Sequence, residues 1–179
     1  EIGRSIKWTS DRTEAFYTDA HGRDYDTTAE MGFDADGVIV GLRVHSEANL
    51  GAYLSTFSTA CPTYLHGTLA QGCYRTPLIN IDITAVFTNT NPVDAYRGAG
   101  RPEITYILEH LMDTAALEMK IDAAELRFKN FIPAFNGVSE PGYQTQVALQ
   151  YDSGNYQGTL TRALEMVGYE AFRKEQAAS

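Results

Sequence analysis

Polar and apolar positions alternate most regularly in three segments, each of which is predicted to be a β-strand. The first two, residues 25–33 and 38–49, flank the tight-turn sequence Asp-Ala-Asp-Gly at 34–37, whose glycine can adopt positive φ. The third covers residues 78–89, in which one face is shared by Ile79, Ile81, Ile83, Ala85 and Phe87. A shorter strand is predicted at residues 5–9. The pattern therefore predicts a sheet that contains a β-hairpin.

The period of an amphipathic helix is clearest after Pro102, a residue that the first turn of a helix tolerates. One face of this helix carries Ile104, Ile107, Leu108, Leu111, Met112, Ala115 and Met119. Glu103 suits the positive end of the helix dipole. We predict further helices at residues 11–18, 60–71, 122–130 and 155–167, with a short helical tail that ends at Ser179. Ser10 is the predicted N-cap of the first of these helices, and Asp122, with Glu125 three residues later, is that of the third.

The order of the elements, with strands first and helices later, predicts an α+β fold. We expect a mixed sheet that contains the hairpin and packs against several amphipathic helices. Residues 1–131 would form a sheet-plus-helix core, 132–154 an irregular connector with prolines and glycines, and 155–179 terminal helices. The first residues include neither an initiator Met nor an apolar signal sequence, so we expect an internal fragment of a longer protein.

Composition excludes several classes of function. The chain has 179 residues, with 14 Lys and Arg against 23 Asp and Glu, and its net charge of −9 disfavours nucleic acid and anionic membranes as partners. A membrane span is not expected, because no apolar run approaches the length that a bilayer requires. Cys61 and Cys73 are too few for a four-cysteine zinc site or a disulfide framework.

Candidate chemistry is concentrated in the loop between the third strand and the long helix. Gly98 and Gly100 remove side-chain bulk where the helix begins, and Arg97 and Arg101 flank them. Unpaired N–H groups at a helix N-terminus can hold an anion or an oxo group. The alternative is a tight connection with a turn that requires glycine. The glycine spacing matches neither a phosphate-binding P-loop nor a dinucleotide-binding motif.

The complete string is more specific than its glycines. Residues 95–101, Ala-Tyr-Arg-Gly-Ala-Gly-Arg, resemble the active-site loop of the xanthine dehydrogenase/aldehyde oxidase family of molybdenum hydroxylases. The resemblance points in particular to the molybdenum-binding large subunit of aerobic carbon monoxide dehydrogenase-like enzymes of the second form. Other stretches agree with the family pattern in the same order, namely residues 7–14, 21–24, 49–53, 74–77, 125–127, 129–131 and 151–154. The resemblance therefore covers almost the whole chain.

This resemblance implies a molybdopterin-binding domain of an oxidoreductase that inserts water-derived oxygen into a small substrate. The implied cofactor is molybdopterin cytosine dinucleotide, and the residues implied to contact it are Tyr96, Arg97, Gly98, Ala99, Gly100 and Arg101. No direct metal ligand and no catalytic residue is expected in this chain, since the family's general base lies in another part of the subunit. The implied partners are an FAD-binding medium subunit and a [2Fe-2S] small subunit, in a cytoplasmic dimer of heterotrimers.

Two departures from the family leave the substrate open. Enzymes of the first form have a copper-holding Cys after the loop arginine, where this chain has Gly98, so no copper is expected. Purine-oxidising relatives have a substrate-guiding Arg upstream, whereas residues 63–66 contain no Arg. Carbon monoxide, an aldehyde or an N-heterocycle remain as candidates. The alternative function is that of a non-catalytic scaffold or assembly domain, inactive as an isolated chain.

The remaining titratable residues are predicted to have structural or solvent-exposed roles. Glu109 and Glu118 lie off the apolar helical face and are expected to be solvated. The four histidines have no metal-ligand spacing, so we expect surface or partly buried imidazoles at His21, His45, His66 and His110.

Overall fold

The computed structural model describes residues 2–137 and 141–178, and its central element is a three-stranded mixed sheet. The strands are β1 (Tyr25–Phe33), β2 (Ile39–Gly51) and β3 (Ile79–Phe87). The middle strand, β2, is antiparallel to β1 and parallel to β3. The predicted hairpin and mixed sheet are thus confirmed.

Helices precede the sheet, pack against it and end the described chain. They are α1 (Arg12–Thr18), α2 (Arg101–Met119), α3 (Ala123–Asn130), α4 (Tyr156–Val167) and α5 (Tyr169–Ala178). Helices α2 and α3 pack against one face of the sheet. This arrangement confirms the predicted α+β fold class. Among the helices of residues 2–137 and 141–178, none combines the length and apolarity needed to cross a membrane.

Two predictions for the N-terminal part were wrong. Residues 5–9 form no strand, and their apolar side chains Ile6 and Trp8 are exposed. Alternation alone does not make a strand, because the backbone also needs a neighbour with which to pair. The N-cap of α1 is Asp11 rather than Ser10, since the Asp11 carboxylate accepts a hydrogen bond from the Glu14 N–H at 2.8 Å.

Two further elements differ from their predicted extents. The helix predicted at residues 60–71 contains a short π-helical turn, Ala60–Leu65, followed by turns. Pro62 lies inside it and lacks the N–H that a regular α-helical ladder would use. Strand β2 continues past Asn49 to Gly51, whose φ is +77° and whose N–H donates to the Asn49 side chain at 2.7 Å.

The predicted connector, residues 132–154, contains short paired segments. Its residues 138–140 lie outside the described part of the chain. The described remainder includes two antiparallel pairs of two-residue strands: β4 (Phe135–Asn136) with β7 (Ser153–Gly154), and β5 (Tyr143–Gln144) with β6 (Gln150–Tyr151).

Helix α2 joins the two parts of the hydrophobic core. Its first half buries Ile104 and Leu108 in a cluster with Leu42, Val44 and Ala70. Its second half buries Met112 and Ala116 in a cluster with Ile39, Tyr74, Leu126 and Phe131. Since each large apolar side chain contributes about 1.5–3 kcal/mol when fully buried, α2 is the element on which both clusters depend.

Asn130, at the C-terminal end of α3, fixes the hairpin to that helix. Its buried side-chain oxygen accepts from the Ile39 N–H at 2.8 Å, and its amide nitrogen donates to the carbonyls of Gly37 and Leu126 at 2.8 and 2.9 Å. One side chain therefore satisfies backbone groups of both the turn and the helix. Gly37 is at φ +81°, as the turn sequence predicts.

We predict that Asn130→Ala destabilises the fold by about 2–4 kcal/mol, because it leaves the Ile39 N–H and the Gly37 carbonyl buried without partners. The measurement is chemical denaturation of the purified chain. Asn80→Ala, at an exposed position of β3, is the matched control and should change stability by less than about 0.5 kcal/mol. Equal effects of the two substitutions would contradict this role for Asn130.

Candidate functional site

The predicted site loop, residues 95–101, ends the connection from β3 to α2 with an unusual run of backbone conformations. Gly98, Ala99 and Gly100 all have positive φ, at +100°, +49° and +93°. The Ala99 N–H donates to the Tyr96 carbonyl at 2.7 Å, and the Arg101 N–H donates to the Gly98 carbonyl at 3.1 Å. The loop is therefore two overlapping tight turns that lead directly into the helix.

The two glycines are required by contacts within the protein. A β-carbon at Gly98 would collide with the ring of Pro102. At Gly100 it would collide with the Cys61 carbonyl oxygen and lie 2.9 Å from the His66 backbone nitrogen. The missing side chains therefore make room for the protein's own atoms, which favours the tight-turn explanation of these glycines over space left for a ligand.

The surface of the loop is nevertheless rich in hydrogen-bond donors. Tyr96 is 61% exposed, the side chains of Arg97 and Arg101 are also exposed, and Gly100 lies buried beneath them. The backbone N–H groups of Arg97 and Gly98 have no acceptor within the described part of the chain. Five of the six predicted residues thus reach the surface together at the N-terminal end of α2, where the helix dipole favours negative charge.

Asp94 anchors the beginning of the loop. Its carboxylate accepts from the N–H groups of Ala95 at 2.6 Å and Phe57 at 3.2 Å. Burial by itself raises the pKa of Asp94. Hydrogen bonds from the Ser55 side chain and from the backbone of Ala95, Phe57 and Thr56 more than offset this effect, so the pKa lies below its usual value. Asp94 is therefore an ionised anchor at neutral pH.

Arg23 contacts the candidate loop and was not among the residues predicted from the sequence. It precedes β1, and its Nη2 donates to the Arg97 carbonyl at 2.6 Å. Its guanidinium also lies 4.8 Å from the centre of the Tyr96 ring, and its Nε is 3.5 Å from Glu103 Oε1. The only sequence signal was that residues 21–24 follow the family pattern.

His66 corrects the expectation of a surface or partly buried imidazole. It is fully buried and stacks on Tyr25, with ring centroids 4.9 Å apart. Neither ring nitrogen reaches hydrogen-bond geometry with a described residue. Burial lowers the pKa of His66, and the nearby Gly100 backbone and Glu103 offset only part of this shift. The imidazole is therefore neutral at physiological pH.

A cleft of about 600 Å³ opens beside His66, between β1 and α2. The polar part of its lining includes Arg23, Tyr25 and Glu103, and one carboxylate oxygen of Glu103 is buried without a partner among the described residues. The first-turn position predicted for Glu103 is confirmed, but the side chain also contacts Arg23.

Glu109 is not the solvated charge that its helical position predicts. It accepts from the Tyr74 hydroxyl at 2.7 Å and from Arg127 Nε at 2.9 Å, and Arg127 also pairs with Asp113 at 2.8 Å. This network ties α2 to α3 and leaves Glu109 with a structural role. No group of three or more His, Cys, Asp or Glu residues in the described ranges is arranged to hold a metal ion.

Cys61 lies beside the loop in space although it is distant in sequence, since its carbonyl oxygen faces Gly100. Both cysteines are free thiols, and Cys61 is buried. Burial raises the pKa of the Cys61 thiol, Asp94 and Glu103 raise it further, and Arg101 offsets part of the shift. The thiol is therefore protonated at neutral pH and is a small core residue.

Residues 1–131 match the family model described as the molybdopterin cofactor-binding domain. The chain belongs to this family. The family that was predicted from residues 95–101 and the accompanying stretches is thereby confirmed.

Similarity to individual proteins extends further along the chain. This chain is 38% identical to the carbon monoxide dehydrogenase large chain of Hydrogenophaga pseudoflava over an alignment of 182 residues. The alignment covers 99% of this chain and 22% of the relative. Among solved structures, a Cu,Mo-CO dehydrogenase in the carbon monoxide-reduced state matches with a TM-score of 0.83 and 32% identity, over 96% of this chain and 21% of that one. Quinoline 2-oxidoreductase from Pseudomonas putida 86 matches with a TM-score of 0.85 and 28% identity, over 95% of this chain and 21% of that one.

These relatives are oxidoreductases, as their names state. The chain spans 22% of the length of the first of them.

We predict that Gly100→Ala destabilises the fold by about 2–4 kcal/mol, because positive φ and a collision with the Cys61 and His66 backbones act together. Thermal and chemical denaturation measure the effect. Gly168→Ala is the matched control: φ is +63° and nothing lies within 4 Å of the added carbon, so about 1 kcal/mol is expected. A loss at Gly100 no larger than that at Gly168 would argue against the close approach.

We also predict that His66 makes stability depend on pH. The unfolded chain protonates this imidazole near pH 6.5, whereas the folded chain does so only at lower pH, so the unfolded state binds more protons between these two pKa values. The free energy of unfolding should therefore fall as the pH drops below about 6.5.

The measurement compares urea unfolding at pH 5 and pH 7.5 for the wild type and for His66→Phe, which keeps a ring against Tyr25. The variant should lose less stability on acidification than the wild type. Asn80→Ala, at an exposed position of β3, changes no titratable group and should keep the wild-type dependence. An unchanged dependence in His66→Phe would show that the imidazole is not the group responsible.

Proposed function

We propose that this chain is part of the molybdenum-binding large subunit of an aerobic carbon monoxide dehydrogenase-like hydroxylase, and that residues 96–101 contact its molybdopterin cofactor. The observation that carries the proposal is the family match over residues 1–131, which includes this loop. The solved relatives with 32% and 28% identity, which share the fold over most of the chain, support it.

The chemistry of the loop fits an anionic or oxo-bearing group. The N–H groups of Arg97 and Gly98 are adjacent donors without acceptors in the described ranges, and backbone donors in such turns form anion-binding concavities. The guanidinium groups of Arg97 and Arg101 add positive charge to a chain whose net charge is −9. A donor-rich, positive surface at the start of the 19-residue helix α2 is therefore a chemically suitable contact for the cofactor.

When bound, the cofactor supplies the redox centre, while the residues of this chain bind and orient it. We propose the cytosine dinucleotide form, with FAD and [2Fe-2S] in partner subunits, in a cytoplasmic dimer of heterotrimers. Copper is not expected, because Gly98 stands where a thiolate would be needed, and soft thiolate ligands are what Cu(I) prefers. The substrate class remains open between carbon monoxide, an aldehyde and an N-heterocycle.

The second candidate is a scaffold or assembly domain without catalytic function. Large apolar side chains are strongly exposed, including Trp8 at 74%, Tyr17 at 76% and Leu117 at 81%. Surfaces of this kind favour association with other protein segments. The two functions differ in their metal content, which provides the test.

We predict that the complete enzyme contains molybdenum without copper, and that Arg97→Ala lowers its turnover about tenfold to hundredfold. This is less than the about hundredfold to thousandfold loss on removal of an oxyanion-hole donor, since the Arg97 side chain is exposed to solvent. Because Arg97 is exposed, the melting temperature should change little. The measurements are metal analysis, thermal unfolding and turnover of the assembled protein on a panel of the three substrate classes.

Arg162→Ala serves as the control, because Arg162 forms an exposed ion pair with Glu165 on α4 and lies outside the loop. It should keep wild-type turnover. A protein without molybdenum would support the scaffold function, and wild-type turnover in Arg97→Ala would contradict the assignment of the loop. One copper per active site would refute the copper prediction.

A further inference from the structure

We propose that Arg23 is a positioning residue, which sets the direction of the Gly98 N–H by holding the carbonyl of Arg97. The inference rests on the proposed function only in so far as the loop faces a cofactor. The contact itself is independent of that function: Nη2 of Arg23 donates to the Arg97 carbonyl at 2.6 Å across 74 residues of sequence.

The Arg97 carbonyl and the Gly98 N–H belong to the same peptide unit. A peptide unit is planar and trans, so its C=O and N–H point in opposite directions and rotate together. A hydrogen bond that fixes the carbonyl therefore also fixes the N–H, although nothing touches that N–H within the described part of the chain. Gly98, at φ +100°, would otherwise allow this peptide plane to rotate more freely than any other residue would.

Two nitrogens and one face of the Arg23 guanidinium are held by the protein, although 39% of the Arg23 side chain is exposed. Besides the Arg97 carbonyl, the guanidinium contacts the face of the Tyr96 ring at 4.8 Å and pairs through Nε with Glu103 at 3.5 Å. The planar fork of arginine can donate to two partners while its face stacks on an aromatic ring, whereas a lysine ammonium cannot. Arg23 thus links two loop residues to the first turn of α2.

The backbone around Arg23 is held against the same loop. The His21 N–H donates to the Pro92 carbonyl at 2.8 Å, and the Asp94 N–H donates to the His21 carbonyl at 2.7 Å. At Gly22 an added β-carbon would lie 2.6 Å from the Tyr96 β-carbon. Arg23 itself is at φ +64°, a conformation that a non-glycine residue keeps only where its surroundings enforce it.

These observations separate positioning from direct binding. Because Nη2 donates to the Arg97 carbonyl, Nε pairs with Glu103 and one face lies on Tyr96, we assign to Arg23 an effect on a ligand through the Arg97–Gly98 peptide. The Glu103 carboxylate is mostly buried, which limits screening by solvent and keeps the guanidinium in one orientation.

The test is hydrogen–deuterium exchange of peptides that span residues 94–102, measured on the assembled protein. In Arg23→Lys, which keeps the charge but loses the fork, we expect the amides of Ala99 and Arg101 to exchange about tenfold faster, because the loop opens locally. Arg23→Gln should have at least as large an effect. Arg43→Lys, which changes an exposed pair with Glu30 at 3.0 Å, is the control and should leave loop exchange unchanged.

Turnover and molybdenum content of the same variants separate the two proposals. Faster loop exchange, retained molybdenum and an about tenfold lower kcat support both the positioning role and the proposed function. Faster loop exchange with wild-type kcat supports the positioning role and contradicts the proposed function of the loop. Unchanged loop exchange in both Arg23 variants overturns the positioning role. Faster exchange throughout β1 and β2 would also overturn the positioning role, since Arg23 would then stabilise the whole fold rather than the loop.

Discussion

The start of α2 is set by a backbone-to-backbone approach that leaves no space for a side chain. At Gly100 the chain passes directly over the Cys61 carbonyl and the His66 backbone, and α2 begins at the next residue. Both halves of the core are built on residues of that helix, and the loop surface is presented at its first turn. The position of the core and the shape of the candidate site therefore depend on the same contact, which joins the π-helical turn to the helix.

The elements that sequence predicted well are those whose cause is local. The hairpin follows from a turn with glycine at Gly37, α3 from its cap at Asp122, and α2 from its apolar period. The prediction of a strand at residues 5–9 was wrong because a strand requires a partner strand, which local alternation does not specify. The prediction that Glu109 is solvated was wrong for a related reason. Its position on α2 faces away from the apolar side chains, but Tyr74 and Arg127 from other parts of the chain donate hydrogen bonds to it.

The features of the candidate site also fall into those with a local cause and those that depend on distant residues. The motif at residues 95–101 identified the loop, but it did not predict that Ala99 would share the left-handed conformation of the two glycines. Arg23 and His66 acquire their roles from residues far away in sequence, and neither has a local pattern that distinguishes it from an ordinary surface side chain. The family was thus predictable, because its members share a string of residues. Geometry was not, because it depends on which distant segments meet.

The strand order bears on the sequence of events during folding. β1 and β2 meet across a short turn, whereas β3 can join β2 only after the chain from Gly51 to Ile79 has crossed over. Closing a long loop has an entropic cost before any contact offsets it, so hairpins form early and parallel pairs late. We therefore expect the hairpin to serve as the template on which β3 docks. By the same reasoning, we expect the loop beyond β3 to acquire its shape after the crossover segment, since Gly100 packs against the Cys61 carbonyl and the His66 backbone.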